Sequence, residues 1–134
     1  MSCLFESLAE LINQRPELHA KYLAKIPFTA RSLRAEICAE LERRDIAVHN
    51  VPLAEWGAME TGSDSRAYTR SMCESGTWGG GVEIAALSAM LRAPIYVRGA
   101  ASVSFGREFR NSVAPLRVHY TGSHYTPIAP RYDF

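Results

Sequence analysis

The order of the elements in the sequence predicts an α+β fold, because helical patterns come first and strand patterns come last. Apolar residues recur with helical spacing from residue 4 to residue 12, and again in a second segment of roughly 30 to 44. Residues 116–120 alternate between apolar and polar side chains, as a half-buried strand does. This order favours helices packed on a short central β-sheet.

The helical half of the chain is predicted in four parts besides the segment at 30–44. The first helix is amphipathic, begins almost at the first residue and ends before Pro16. Residues 45–66 contain proline and glycine, which predicts a loop with a short helix. Residues 68–73 predict a helical turn, and residues 82–91 predict a further helix.

The strands follow in the last third of the sequence. Residues 95–97 are β-branched or aromatic, which is typical of a short strand. Residues 99–114 predict a loop or hairpin. The strand at 116–120 is followed by a turn at 121–123, which contains glycine, and by a final strand at 124–128.

Length and composition limit what the chain can be. Its 134 residues predict a single domain over 1–134, and 47% hydrophobic residues exclude a wholly disordered chain. A net charge of +1 argues against nucleic acid as a partner. No apolar run approaches the ~20 residues of a membrane helix, and the first residues do not resemble a signal peptide. We therefore expect a monomeric cytoplasmic protein that does not bind membranes.

The cysteines do not indicate a disulfide framework or a metal site. There are three, an odd number, at positions 3, 38 and 73, and no two of them form a C-x-x-C pair. We expect three reduced thiols, two of them buried and one reactive, with no metal and no cofactor.

Cys3 is the candidate nucleophile. It immediately precedes an amphipathic helix, and the free N–H groups at a helix N-terminus favour a negative charge and can hold an oxyanion. A thiol nucleophile also needs a base, usually a histidine. His19 and His49 are expected at the surface and His119 half-buried in a strand, whereas His124 follows a turn and opens a strand, where it can face a cleft.

The segment 76–81 reads GTWGGG and is the densest local motif. It lacks the pattern of a phosphate-binding or dinucleotide-binding loop. Three successive glycines beside Trp78 indicate a backbone that another group approaches closely. The alternative is a tight turn before the next helix, with Trp78 in the core.

Three blocks together resemble the ovarian tumour (OTU) family of cysteine peptidases, most of which are deubiquitinases. Residues 3–9 (CLFESLA) resemble the nucleophile motif at the start of the central helix. Residues 76–84 (GTWGGGVEI) are similar to the W-G-G-x-x-E block, and residues 116–125 resemble the strand and His-aromatic motif of the general base. Ser32-Leu33-Arg34 is similar to the family's Leu-Arg helix, and the blocks occur in the family's order over nearly the whole chain.

The resemblance implies a small papain-type OTU-like fold and a thiol isopeptidase that cleaves after the Gly-Gly tail of ubiquitin or a ubiquitin-like modifier. Cys3 would be the nucleophile and His124 the general base. The implied substrate channel includes Trp78, Gly79, Gly80 and Tyr125. Small free-standing members resemble those of viruses and intracellular bacteria, which implies action in a host cytosol.

The sequence departs from the family at two places. Met1 and Ser2 stand where the family has Asp-Gly before the cysteine, and Thr126 stands where an Asn or Asp usually orients the histidine. Three interpretations fit: the chain is trimmed from a longer protein, it is active with Thr126 as the orienting group, or it binds ubiquitin without cutting it. Arginines on the second helix are expected to be solvated or at the rim of a ubiquitin surface: Arg31, Arg34, Arg43 and Arg44.

Overall fold

Helices occupy the N-terminal part of the chain and most strands lie near its C-terminal end. The computed structural model describes residues 3–18, 27–74 and 76–128. Its helices are α1 (Cys3–Asn13), α2 (Ala30–Arg43), α3 (Leu53–Thr61), α4 (Ser65–Met72) and α5 (Gly81–Leu91). Its strands are β1 (Ala47–Val48), β2 (Val51–Pro52), β3 (Ile95–Arg98), β4 (Val103–Phe105), β5 (Leu116–Tyr120) and β6 (Tyr125–Pro127). A turn of 3₁₀-helix, Arg107–Phe109, follows β4.

The main sheet places β6 at one edge, beside α1. Its strand order is β4-β3-β5-β6, with β3 parallel to β5 and the other neighbours antiparallel. In the β5–β6 pair, Tyr120 lies opposite Tyr125 and His119 opposite Thr126. Because side chains alternate along a strand, the two tyrosines lie on one face and His119 and Thr126 on the other.

The core lies between α1, α2, α5 and the inner face of the sheet. The predicted apolar stripe of α1 is buried along its whole length: Leu4, Phe5, Leu8, Leu11 and Ile12. Thr29 caps the start of helix α2. Its Oγ1 accepts from the Ser32 N–H (3.0 Å), and Ser32 Oγ accepts from the Thr29 N–H (2.9 Å). Such a reciprocal cap satisfies two donors that a helix start otherwise leaves free.

The α+β order and the main helices and strands are confirmed, and the differences lie in the connections. Residues 45–66 contain a β-hairpin, α3 and the start of α4, rather than a loop with one short helix. Residues 99–114 hold β4 and the 3₁₀ turn. The last strand is shorter than predicted, since His124 and Ile128 lie outside β6. No helix in the described ranges is both long and apolar enough to cross a bilayer.

Burial corrects three expectations. Of the three cysteines only Cys38 is buried: Cys3 is half-buried at the first residue of α1, and Cys73 is exposed just after the last residue of α4. His119 is exposed rather than half-buried, since strand alternation turns it away from the inner face. Arg34 is not at the rim but 3% exposed, whereas Arg31 is exposed. His19 lies outside the described residues.

Candidate active site

Cys3 is the first residue of α1 and is half-buried. The two residues that follow it, Leu4 and Phe5, are almost completely buried, so the first turn of the helix is anchored in the core. The thiol therefore sits at a fixed helix N-terminus, where backbone N–H groups without helical partners point outward.

A hydrogen bond and an aromatic stack bring β6 to this helix start. Ser7 Oγ on α1 donates to the Tyr125 carbonyl at 3.1 Å. The Tyr125 ring stacks on Tyr120 with centroids 4.5 Å apart. Burial raises the pKa of the Tyr125 hydroxyl, and the neighbouring Tyr120 and Cys3 raise it further. Tyr125 is thus held against the first two turns of α1, and His124 immediately precedes it.

The backbone of His124 is held by a tight turn. The Thr121 N–H donates to the His124 carbonyl at 3.0 Å, and the His124 N–H donates to Thr121 Oγ1 at 3.1 Å. The imidazole itself is exposed and lies beside the Trp78 ring, with centroids 6.4 Å apart and planes tilted by 36°. The histidine is therefore fixed at its backbone while its ring faces solvent and one aromatic neighbour.

Residues 76–80, which we call the Trp78 loop, pack directly on the start of α1. A Cβ added to Gly79 would lie 2.8 Å from the Phe5 ring and 3.0 Å from Leu4 Cδ2, closer than carbon atoms approach. Position 79 therefore accepts only glycine without displacement of its neighbours. Trp78 is 52% exposed, so the alternative that places Trp78 in the core is wrong.

Arg34, a buried residue of α2, fixes the Trp78 loop from the core side. Its guanidinium donates to the Met72 carbonyl at 2.8 Å and to the Thr77 carbonyl at 2.6 Å, and it lies 4.2 Å from the centre of the Phe5 ring. Burial lowers the pKa of Arg34, and the neighbouring Cys38 and Glu83 side chains oppose that shift. One buried cation thus connects α2, the end of α4, the loop and the first turn of α1.

Glu83 fixes the other end of the loop. Its Oε1 accepts from the Gly80 N–H at 2.8 Å, and its Oε2 accepts from the Tyr68 hydroxyl at 2.5 Å. Burial raises the pKa of Glu83, while these two hydrogen bonds lower it. Glu83 lies in the first turn of α5 and caps the start of that helix. A cavity of about 470 Å³ lies along this part of the loop, between Tyr68, Trp78 and Glu83.

Several predicted residues do not come together. Among the described residues, no hydrogen bond joins the Cys3 thiol to the His124 imidazole or the Thr126 hydroxyl to that ring. Such contacts are often long in the absence of substrate and shorten in the complex. Thr126 is exposed and pairs with His119 on the outer sheet face. His49 lies far along the chain in the β1–β2 turn, next to Trp56.

Sequence reasoning missed the role of Arg34 and the Tyr68 hydroxyl. The role of Glu83 could have been predicted from the sequence, because a glutamate three residues after a helix cap is a known capping pattern. Arg34 has no such local pattern, since its acceptors are 38 and 43 residues away in the sequence. The described residues contain no group of three histidine, cysteine or acidic side chains placed to hold a metal ion.

Comparison with known proteins agrees with this geometry. A model of the family described as OTU-like cysteine protease matches residues 2–126. A search of curated proteins gives no significant match.

Solved structures share the fold at low sequence identity. A structure of an OTU domain in complex with ubiquitin has a TM-score of 0.66 at 19% identity, over 94% of this chain and 62% of that one. The chain therefore spans less than two thirds of that protein's length.

Two viral structures are similar as well. The OTU domain protease of Taggert virus has a TM-score of 0.68 at 15% identity, over 99% of this chain and 76% of that one. The Hazara virus OTU bound to ubiquitin has a TM-score of 0.64 at 20% identity, over 96% of this chain and 77% of that one. These likenesses show the fold, and the family match covers nearly all of the sequence. The chain belongs to the OTU-like cysteine protease family.

Proposed function

We propose that this chain is a deubiquitinase, a thiol hydrolase that cleaves the isopeptide bond after the Gly-Gly tail of ubiquitin or a ubiquitin-like modifier. One observation carries the proposal: β6 and the Trp78 loop both contact the first two turns of α1, the helix that begins at Cys3, and the His124 ring lies beside Trp78. Relatives of the same fold are in complex with ubiquitin, which supports ubiquitin as the partner.

The chemistry follows from the two side chains. His124 takes the proton of the Cys3 thiol, and the sulfur attacks the carbonyl carbon of the isopeptide bond. Backbone N–H groups at the start of α1 hold the resulting oxyanion. His124 then gives its proton to the leaving lysine amine, and water hydrolyses the thioester to release the modifier with a free carboxylate.

The Trp78 loop suits a substrate tail without side chains. Gly79 keeps the loop against Leu4 and Phe5, so the loop surface lies close to the first turn of α1. The exposed Trp78 ring and the half-buried Tyr125 supply flat apolar surfaces beside His124. We expect these aromatic rings and the glycine backbone to leave a narrow space that excludes bulky residues and admits two successive glycines.

The second candidate is a module of the same fold that binds ubiquitin without cutting it. The observation that favours it is the exposed imidazole of His124, which makes no hydrogen bond to Cys3 or Thr126 within the described residues. A general base that is not oriented loses much of its effect.

The test is reaction with a ubiquitin probe that carries a thiol-reactive group at its C-terminus, followed by cleavage of isopeptide-linked diubiquitin. The wild type is compared with Cys3→Ala, His124→Ala and Cys73→Ala. The last is a matched control because it removes an exposed thiol elsewhere on the surface. Circular dichroism confirms that each variant is folded.

We expect a covalent adduct that Cys3→Ala abolishes, that His124→Ala slows by about 100-fold or more, and that Cys73→Ala leaves unchanged. Cleavage of diubiquitin should follow the same order. Ubiquitin binding without an adduct or cleavage would instead support the binding module. An adduct that persists in Cys3→Ala would overturn the assignment of the nucleophile.

A further inference from the structure

Ser7 carries a buried hydroxyl that the proposed chemistry does not use. It lies four residues after Cys3 on α1 and is 5% exposed, and residues at this spacing share one face of a helix. A serine inside a helix commonly donates back to the carbonyl four residues earlier. Ser7 Oγ instead donates across to the Tyr125 carbonyl of β6. The hydroxyl therefore joins two elements of the fold.

The acceptor of this bond lies at an open edge of the main sheet. β6 is an edge strand of three residues, and the outward carbonyls of an edge strand have no partner within the sheet. Ser7 supplies a donor to one of them and fixes the Tyr125 backbone against α1. Because Tyr125 directly follows His124, this bond also fixes where the His124 backbone lies relative to the helix.

Tyr120 holds the same turn from its other end. Its ring stacks on the Tyr125 ring, and its hydroxyl donates to the Gly122 carbonyl at 2.9 Å. Gly122 has a φ of +104°, a conformation that glycine adopts more readily than other residues. Tyr120 thus contacts the chain on both sides of His124, at Gly122 before it and at Tyr125 after it.

We propose that Ser7 and Tyr120 are positioning residues for the reaction proposed above, on which this inference rests. Ser7 fixes the strand after His124 to the helix that begins at Cys3, and Tyr120 fixes the turn before it. The His124 imidazole is exposed, so its reach toward the thiol depends on where its backbone is held. A displacement of about 1 Å between reacting groups can lower a rate by about 100-fold.

The experiment measures alkylation of the Cys3 thiol by iodoacetamide in the full chain, with peptide mapping to separate it from the other cysteines, so no ubiquitin is needed. Ser7→Ala and Tyr120→Phe are compared with the wild type and His124→Ala. Ser88→Ala is the matched control, because Ser88 is also a buried helical serine whose hydroxyl donates to a backbone carbonyl, just after α5. Circular dichroism and the melting temperature show whether each variant is folded.

We expect Ser7→Ala to slow Cys3 alkylation near neutral pH by about tenfold, and Tyr120→Phe to slow it by about threefold. Adding Ser7→Ala to His124→Ala should cause no further loss, because Ser7 acts on the thiol only through His124. Ser88→Ala should leave alkylation unchanged. With a fluorogenic amide of ubiquitin, Ser7→Ala should lower kcat and leave KM unchanged, since a buried Ser7 touches no substrate.

Three results would overturn the proposal: unchanged alkylation in Ser7→Ala while His124→Ala is slow, a further loss in the double variant, or a raised KM at constant kcat. If His124→Ala does not slow alkylation, the positioning role and the assignment of the general base are both wrong. If alkylation follows the expected order but ubiquitin is not cleaved, the positioning role is supported and the proposed deubiquitinase activity is wrong.

Discussion

The two sides of the candidate active site are held in place in different ways. The Trp78 loop is fixed by buried charged groups, Arg34 and Glu83, and by the contact of Gly79 with Phe5. The turn that carries His124 is fixed by hydrogen bonds between Thr121 and His124 and by the Tyr120 hydroxyl, which donates to the Gly122 carbonyl, and these bonds are exposed to solvent. Exposed hydrogen bonds contribute less to stability than buried charged ones do.

The difference separates the loop that lines the proposed substrate channel from the turn that carries the proposed general base. A shift of the loop would leave the buried groups of Arg34 and Glu83 without some of their partners, which is costly. The His124 imidazole touches one aromatic ring and is otherwise free to adjust. Substitutions in the loop should therefore change mainly the free energy of unfolding, and substitutions near His124 should change mainly the rate of the proposed reaction.

The largest effect is expected for Arg34→Met. The substitution removes the donor to the buried Met72 carbonyl and to the half-buried Thr77 carbonyl, and it removes the cation from the Phe5 ring. We expect the free energy of unfolding to fall by about 3 kcal/mol in urea denaturation. Arg31→Met, on the exposed face of the same helix, should change it by less than about 0.5 kcal/mol. If Arg34→Met and Arg31→Met both lowered the free energy of unfolding by the same small amount, Arg34 would not be what holds the loop.

Gly79→Ala tests the contact between the loop and α1. The new methyl group would meet the Phe5 ring at 2.8 Å, so the loop or the helix start must move. We expect a loss of about 2 kcal/mol in stability and a slower reaction of Cys3 with the ubiquitin probe. Gly76→Ala, where nothing lies within 4 Å of the added carbon, is the matched control. An unchanged Gly79→Ala protein would show that the loop yields easily.

Glu83→Gln tests how the stability of the protein depends on pH through the carboxyl group that holds the Trp78 loop. Burial raises the pKa of Glu83 above the ordinary value of 4.5, so the folded protein holds this proton more tightly than the unfolded chain does. The favourable contribution is complete below pH 4.5 and is lost as the pH rises through the raised pKa. Relative to Glu83→Gln, the wild type should therefore lose stability on going from pH 4 toward neutral pH, measured by urea denaturation. The stability of Glu10→Gln, a substitution at an exposed position, should change with pH in the same way as that of the wild type.

The smallest expected effect is on the His124 side. Thr126→Asn supplies an amide where the family usually has Asn or Asp, and it should raise the rate of diubiquitin cleavage by about threefold. Thr126→Val removes the hydroxyl and should lower the rate by a similar factor if Thr126 orients the ring. Neither variant should change the melting temperature by more than a degree or two. Identical rates in all three proteins would remove Thr126 from the mechanism.

The sequence was sufficient for the parts of the fold that depend on local periodicity. The helix that starts at Cys3 and the strand at 116–120 follow from apolar spacing alone. The hairpin at residues 47–52 was missed because its strands are only two residues long, which is too short to establish a period.

The candidate site was predictable only where residues form a motif. Cys3, His124 and the glycines were found because their neighbours in sequence resemble a family pattern. The buried network around Arg34 was not, since an arginine on a helix is normally solvated. Its burial depends on carbonyl groups that only the folded chain brings to it.

The contact between Trp78 and His124 gives the protein a built-in optical probe. A protonated imidazole quenches the emission of a nearby indole, and these two rings have centroids 6.4 Å apart. The chain has two tryptophans, and the other, Trp56, lies beside His49. In a Trp56→Phe variant, emission intensity as a function of pH would therefore report the charge on His124 without any label. A ubiquitin tail that enters between the rings would change the same emission. Binding of the tail and protonation of His124 can therefore be followed by one fluorescence signal.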